Sequence, residues 1–273
     1  MSLRREAARD AAGFLQQAKK QLGQNFLHER GVIDRILLAL DPKPGERIVE
    51  IGPGQGALTL PLLRMHGGLT AIEFDRDLLQ PLAAAADAQG GGLHLIHRDV
   101  LQVDFDALAR ELGGPIRLIG NLPYNLSSPI LFHALDHAAA ITDMHFMLQK
   151  EVVERMAAGP GSKVYGRLSV MLQAYCRVTP LLKVPPGAFR PAPKVDSAVV
   201  RLQPKAPDEI AVRDRQRFAA IVRAAFGQRR KTLHNALKDV CTDDEMRAAG
   251  LDPILRAEQV PVSGFVALAN GTA

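Results

Sequence analysis

The residue types best suited to chemistry stand together at Asn121-Leu122-Pro123-Tyr124-Asn125. The Asn121 carboxamide oxygen can accept a hydrogen bond from an amine. Pro123 fixes its own φ and pushes Leu122 toward an extended conformation. That can turn the Leu122 carbonyl toward the same amine, and Tyr124 adds a flat aromatic face. Two acceptors and a stacking ring suit the exocyclic amino group of a planar base. The same residues also suit a plain strand-to-helix turn, since Asn, Pro and Ser are common turn formers. The flanks add a position: 116–120 reads as a buried strand and 130–138 as an apolar helix. The segment then sits at the carboxyl end of a strand, where open α/β sheets bind ligands.

A second group surrounds Gly52-Pro53-Gly54-Gln55-Gly56, which follows strand 47–51 and opens a helix. Glycines let a ligand approach the backbone, and a helix N-terminus offers free N–H donors. The spacing is G-x-G-x-G rather than the G-x-G-x-x-G of the dinucleotide fingerprint, so a nucleotide-like ligand is expected. A nicotinamide dehydrogenase is a distant alternative. Glu73, ending strand 69–74, lies where an acid binds ribose hydroxyls, while Asp75 and Asp77 read as caps of helix 78–88. Asp99 closes strand 93–97 and suits either an adenine amine or a turn cap. Phe189 sits in the stiff proline-rich loop 185–194. It reads equally as a ring stacked on the second face of a base and as a plug in the core. Loop 21–27 reads either as a cover over a ligand or as a connector.

Positioning these groups takes a strand–helix alternation, continued by a fifth strand at 144–149. That pattern means a parallel sheet with helices on both faces, an α/β class. Segments 177–184 and 195–202 read as a hairpin-like pair at its edge. Residues 6–20 and 29–40 read as helices, 203–209 as a linker, and everything beyond as helical. The expected division is a catalytic domain at 1–204 and a small all-helical domain at 205–273. Between Arg213 and Lys238 eight basic residues face one acid, Asp214. This asymmetry favours phosphate contacts over a merely solvated face.

The net charge of +5 over 273 residues points the same way, toward an anionic partner. No apolar run reaches membrane-span length, and no secretory signal is read at Arg4-Arg5. Cys176 and Cys241 are distant, which fits a reducing compartment, so a cytoplasmic protein is expected. His133 and His137 lack an H-E-x-x-H context, so no metal is expected. No G-x-S-x-G elbow supports a hydrolase.

In order, the motifs Leu22-Gly23-Gln24-Asn25-Phe26-Leu27, Glu50-Ile51-Gly52-Pro53-Gly54, Glu73-Phe74-Asp75, Asn121-Leu122-Pro123-Tyr124-Asn125, Met147-Leu148-Gln149-Lys150-Glu151-Val152, 185–200 and Gln228-Arg229-Arg230-Lys231-Thr232 resemble the small-subunit ribosomal RNA adenine dimethyltransferase family. The resemblance implies a Rossmann-like S-adenosylmethionine-dependent fold with a helical C-terminal domain. It implies cofactor contacts at Asn25, Leu27, Gly52, Gly54, Glu73, Asp99 and Asn121. The catalytic group would be Asn121, Leu122, Pro123, Tyr124 and Phe189. Arg223, Arg229, Arg230 and Lys231 would track RNA phosphates. The implied reaction is direct methyl transfer to N6 of two adjacent adenines near the 3′ end of that RNA. The adenine would be unpaired and clamped by Tyr124 and Phe189. The implied partner is the immature 30S particle, and a monomer is expected. Two rival readings are a large-subunit rRNA adenine methyltransferase and an assembly factor in which methylation is secondary.

Overall fold

Residues 18–19, 23–228 and 230–271 are described by the computed structural model. Most of the helix expected at 6–20 lies outside them, as does Arg229. The strands are β1 (Phe26–Leu27), β2 (Arg47–Ile51), β3 (Leu69–Glu73), β4 (Leu93–His97), β5 (Ile116–Asn121), β6 (Ile141–Gln149), β7 (Cys176–Val184), β8 (Phe189–Arg190) and β9 (Ser197–Pro204). Seven form one sheet in the order β4-β3-β2-β5-β6-β9-β7. The ladders from β4 through β6 are parallel, and β9 runs antiparallel to β6. Parallel strands are covered on both faces, so their interiors are apolar: Val49, Ala71, Leu118 and Ile119 are each fully buried. The chain winds outward from β2 to β4, then restarts at β5 on the other side. The carboxyl ends of β2 and β5 therefore flank a topological switch point, the crevice where such sheets bind ligands.

Helices fill the connections: α1 (Arg30–Leu40), α2 (Thr59–His66), α3 (Arg76–Asp87), α4 (Phe105–Glu111) and α5 (Ser127–Asp136). Helix α1 shows how the sequence sets them. Its buried residues, Val32, Ile33, Ile36, Leu37 and Leu40, fall at three- and four-residue spacing. Glu29 caps its start by accepting from the Gly31 and Val32 amides. At the opposite end of the sheet from the crevice, Arg117 pins three segments together. It forks onto Asp143 at 2.8 and 3.0 Å, reaches Glu46 at 2.6 Å and donates to the Leu40 carbonyl at 2.8 Å. His145 lies against this cluster, and burial pushes its pKa down to about 4.

Two compact units emerge. One holds the described residues up to Lys150 together with Leu181–Leu202; the other holds Glu151–Pro180 and Gln203 onward. The second unit contains α6 (Lys150–Ala157, from Glu151), α7 (Arg167–Tyr175), α8 (Arg215–Gly227), α9 (Leu233–Leu237), α10 (Asp243–Ala248) and α11 (Val262–Asn270). A single cut at 204 would leave α6 and α7 with the sheet. They group instead with the C-terminal helices, because α8 and α11 cover α7. Tyr175 packs on Phe218, and the Tyr165 hydroxyl donates to the Val260 carbonyl at 2.9 Å.

Candidate active site and cofactor cleft

A cavity of about 200 Å³ opens at the carboxyl ends of β2, β3 and β5. Ile51, Ile72, Leu78, Val100, Leu122 and Ile130 give it apolar walls, while Glu73, Asp99 and Asn121 supply polar groups. Flat apolar walls with a few convergent polar groups are what a small-molecule site needs.

Asn121 is the last residue of β5, and its amide is oriented. Its Nδ2 donates to the Asn25 backbone carbonyl at 2.9 Å. That bond assigns the nitrogen, leaving Oδ1 without a protein donor among the described residues. The next residues are fixed as firmly. The Leu122 amide donates to the Met147 carbonyl at 3.1 Å, and Leu122 is buried. The Pro123 carbonyl accepts from the Leu126 amide at 3.0 Å and from Ser127 Oγ at 3.1 Å. The Tyr124 ring is half-buried, and its hydroxyl meets Ser197 Oγ at 2.7 Å. Burial raises the Tyr124 pKa, so the phenol stays neutral.

The glycine turn answers whether a nucleoside fits. Gly52 and Gly54 have φ of +65° and +56°, a region side chains avoid. A Cβ on Gly52 would meet no protein atom within 4 Å, so the open space above it is left for a ligand. A Cβ on Gly54 would lie 3.1 Å from the Phe26 ring, which packs over the turn. Glu73 is buried, with Oε1 accepting from the Asp75 amide at 2.7 Å and Oε2 from the Gly54 amide at 3.3 Å. Each oxygen keeps a further lone pair for a hydroxyl. Burial raises its pKa, against those two amide bonds. Asp99 Oδ1 caps the following turn through the Leu101 amide at 3.0 Å, as the turn-cap reading expects, and the residue also lines the cavity.

Some expectations are corrected. Phe189 is 2% exposed and belongs to the apolar core, opposite Leu27 in the β1–β8 ladder. It is the plug, not a second stacking ring. Its loop is tied down as a strand, a pairing that two residues cannot announce in sequence. The Leu27 side chain is buried in the same cluster, and the residue borders a smaller pocket with Gly52, Gly54 and Asn121, whereas Asn25 and Phe26 line the main cavity. Asp75 caps α3, but Asp77 pairs with Lys19.

One group was not foreseen. Asp75 Oδ1 takes the Lys19 ammonium at 2.6 Å, and its Oδ2 accepts from Gln24 Nε2 at 2.9 Å. The Lys19 amide in turn donates to Gln24 Oε1 at 2.7 Å. Burial of Asp75 opposes its charge, but these donors win and hold its pKa below the usual carboxylate range. This network fastens Lys19 and Gln24 to the residue that follows β3, beside the cleft. Phe74, 60% exposed, stands at the cleft rim beside it. Nothing in the strand pattern ending at Glu73 points to either. In the other unit, Arg223, Arg230 and Lys231 are exposed, and Arg217 is paired with Glu245 at 2.8 Å.

A doubly wound sheet, a glycine turn beneath open space, a buried acid at the end of β3 and an asparagine at the switch point are the arrangement of an S-adenosylmethionine-dependent methyltransferase of the Rossmann-like class. A family model described as ribosomal RNA adenine dimethylase matches residues 15–272, and the chain belongs to that family. It is 68% identical over 259 residues to the ribosomal RNA small subunit methyltransferase A of Xanthomonas campestris, covering 95% of this chain and 98% of that one. The relative in Xanthomonas axonopodis is equally similar, at 68% over the same coverage. Among solved structures, a dimethyladenosine transferase from Plasmodium falciparum superposes with a TM-score of 0.77 at 25% identity, covering 89% of this chain and 95% of that one. The fold is also that of the 23S rRNA methyltransferase ErmE, with a TM-score of 0.70 over 90% of this chain and 98% of that one, at 24% identity.

Proposed function

We propose that this enzyme dimethylates N6 of two adjacent adenines near the 3′ end of small-subunit ribosomal RNA. It acts as a cytoplasmic monomer on an immature 30S particle and without a metal. Support for the small-subunit substrate is the 68% identity across nearly the whole chain to relatives of that name. The observation that carries the chemistry is the tether from Asn121 to the Asn25 carbonyl, which leaves the amide oxygen free at the cleft.

When bound, S-adenosylmethionine supplies an electrophilic methyl carbon on a cationic sulfur. Glu73 would hold the ribose hydroxyls, Asp99 the adenine amine, and Gly52 and Gly54 the backbone approach. The target amine is a poor nucleophile, because its lone pair is delocalised into the purine. Asn121 Oδ1 and the Leu122 carbonyl accept its two hydrogens, which localises the lone pair and steadies the cation that develops. Tyr124 stacks on the base and holds it out of its helix; stacking is worth about 1–3 kcal/mol, against a few kcal/mol for unpairing. No strong base is required, since the nitrogen loses its proton after it becomes cationic. The side chains therefore contribute position and charge compensation.

Asn121→Ala tests the reading. Turnover should fall roughly 100- to 1000-fold, the scale for one preorganised polar group, while calorimetric cofactor affinity stays within a few-fold. Undiminished methyl transfer to ribosomal RNA would refute the role.

A further inference from the structure

We infer that Ser197 is a positioning residue for catalysis: it sets the Tyr124 ring through the bond between the two hydroxyls. This rests on the reading that Tyr124 stacks on the target base. Ser197 opens β9 and pairs with Gln149 at the end of β6. It is fully buried, and Ala198, Val199 and Val200 follow it. A hydroxyl in such a position costs stability unless it is paired, and its partner is the Tyr124 hydroxyl at 2.7 Å. Tyr124 itself stands on the turn after β5, so this bond joins the turn that carries the ring to a strand distant in sequence.

Geometry makes the bond directional. The phenolic oxygen lies on the axis about which the ring spins, so holding it fixes where that axis points. The phenolic hydrogen prefers the ring plane, so a fixed partner also restrains the spin. Tyr124 is half-buried and lines the cleft together with its chain neighbours Pro123 and Asn125. No other hydrogen bond to the Tyr124 side chain exists among the described residues. A ring free to swing would still bury its area, but would present the stacking face less often. Rigid placement of this kind lowers the entropic barrier to reaction.

Steady-state kinetics on small-subunit ribosomal RNA, with Ser197→Ala, Tyr124→Phe and the double variant, decides the matter. Tyr124→Phe removes the same bond without touching β9, so the experiment does not depend on how Ser197→Ala folds. Each single change should lower kcat/KM for RNA by about 5- to 10-fold, the scale of one hydrogen bond. Cofactor affinity should stay at the wild-type value. The double variant should be no worse than either single one. Ser197→Thr, which keeps the hydroxyl, should recover most of the activity. If the two losses multiply in the double variant, Ser197 serves β9 and not the ring, and the inference falls. If Tyr124→Phe is impaired while Ser197→Ala is not, the inference falls and the stacking reading survives. Full activity in Tyr124→Ala would remove the stacking reading, and the role of Ser197 with it.

Discussion

Asn121 is both a donor and an acceptor, and the site uses the two ends differently. The nitrogen is spent on the Asn25 carbonyl at 2.9 Å, which aims the oxygen. Asn121→Asp separates these roles. A carboxylate is the stronger acceptor, but it cannot donate to Asn25, and its second oxygen would face that carbonyl. Turnover should drop by about 10- to 100-fold, the cost of leaving a polar pair facing without a proton. Cofactor binding should not weaken, because the added negative charge faces a cation. Wild-type turnover in Asn121→Asp would show that the tether does not aim the group. The residue types at this strand end could be read directly from the chain, although an amide, a proline and a ring in that order suit a plain turn as well as a site. Orientation could not, since nothing about Asn25 in sequence says that its carbonyl lies within reach of residue 121. Phe189 marks the same limit from the other side, because a lone aromatic in a proline-rich loop looks the same whether it points out or in.

At the scale of elements, the strands and helices that carry the site follow from periodicity, and they sit close to where it puts them. Expected strands at 47–51 and 93–97 are β2 and β4 residue for residue. What periodicity leaves out is short pairing and side-chain latching. The β1–β8 ladder has two residues on each side, too few for an alternating pattern. The Lys19–Asp75–Gln24 network joins residues more than fifty positions apart. That network holds the segment beside Asn25 against the end of β3, so it should govern how long the cofactor stays. Lys19→Ala should raise the cofactor dissociation rate by about 2- to 5-fold in stopped-flow displacement. The change is modest because a solvent-exposed ion pair is weak and screened. High salt should produce the same acceleration in the wild type and little more in the variant. A salt-independent wild-type rate would show that the ion pair does not hold the segment closed.

Across the whole molecule, charge decides two behaviours in two different places. In the sheet unit, His145 is buried beside Asp143 and Arg117, and its folded pKa of about 4 lies below the ordinary value near 6.5. The unfolded chain therefore binds a proton first as pH falls. Stability is full above about pH 6.5 and is lost as pH drops toward 4, by about 2 kcal/mol at pH 5. The lowered pKa of Asp143 acts in the same direction at lower pH still. His145→Gln cannot titrate, so its urea midpoint should change less between pH 7 and pH 5 than the wild-type midpoint does. Equal slopes would mean that the histidine gains a proton without unfolding. In the helical unit, the basic composition of 213–238 was plain from the chain, but not which cations are free. Arg217 is engaged by Glu245, whereas Arg223, Arg230 and Lys231 are exposed. Each free cation that neutralises a phosphate releases a counterion, so it contributes about 0.7 to 0.9 to the slope of log affinity against log salt. Replacing Arg223, Arg230 and Lys231 together with Gln should flatten that slope by about 2 to 3 for a small-subunit ribosomal RNA fragment. Arg217→Gln should leave it nearly unchanged, because that guanidinium already has its counter-charge. If the triple variant keeps the wild-type slope, these cations face solvent rather than RNA. If Arg217→Gln flattens it as much as a free cation does, the Glu245 pair opens when RNA binds.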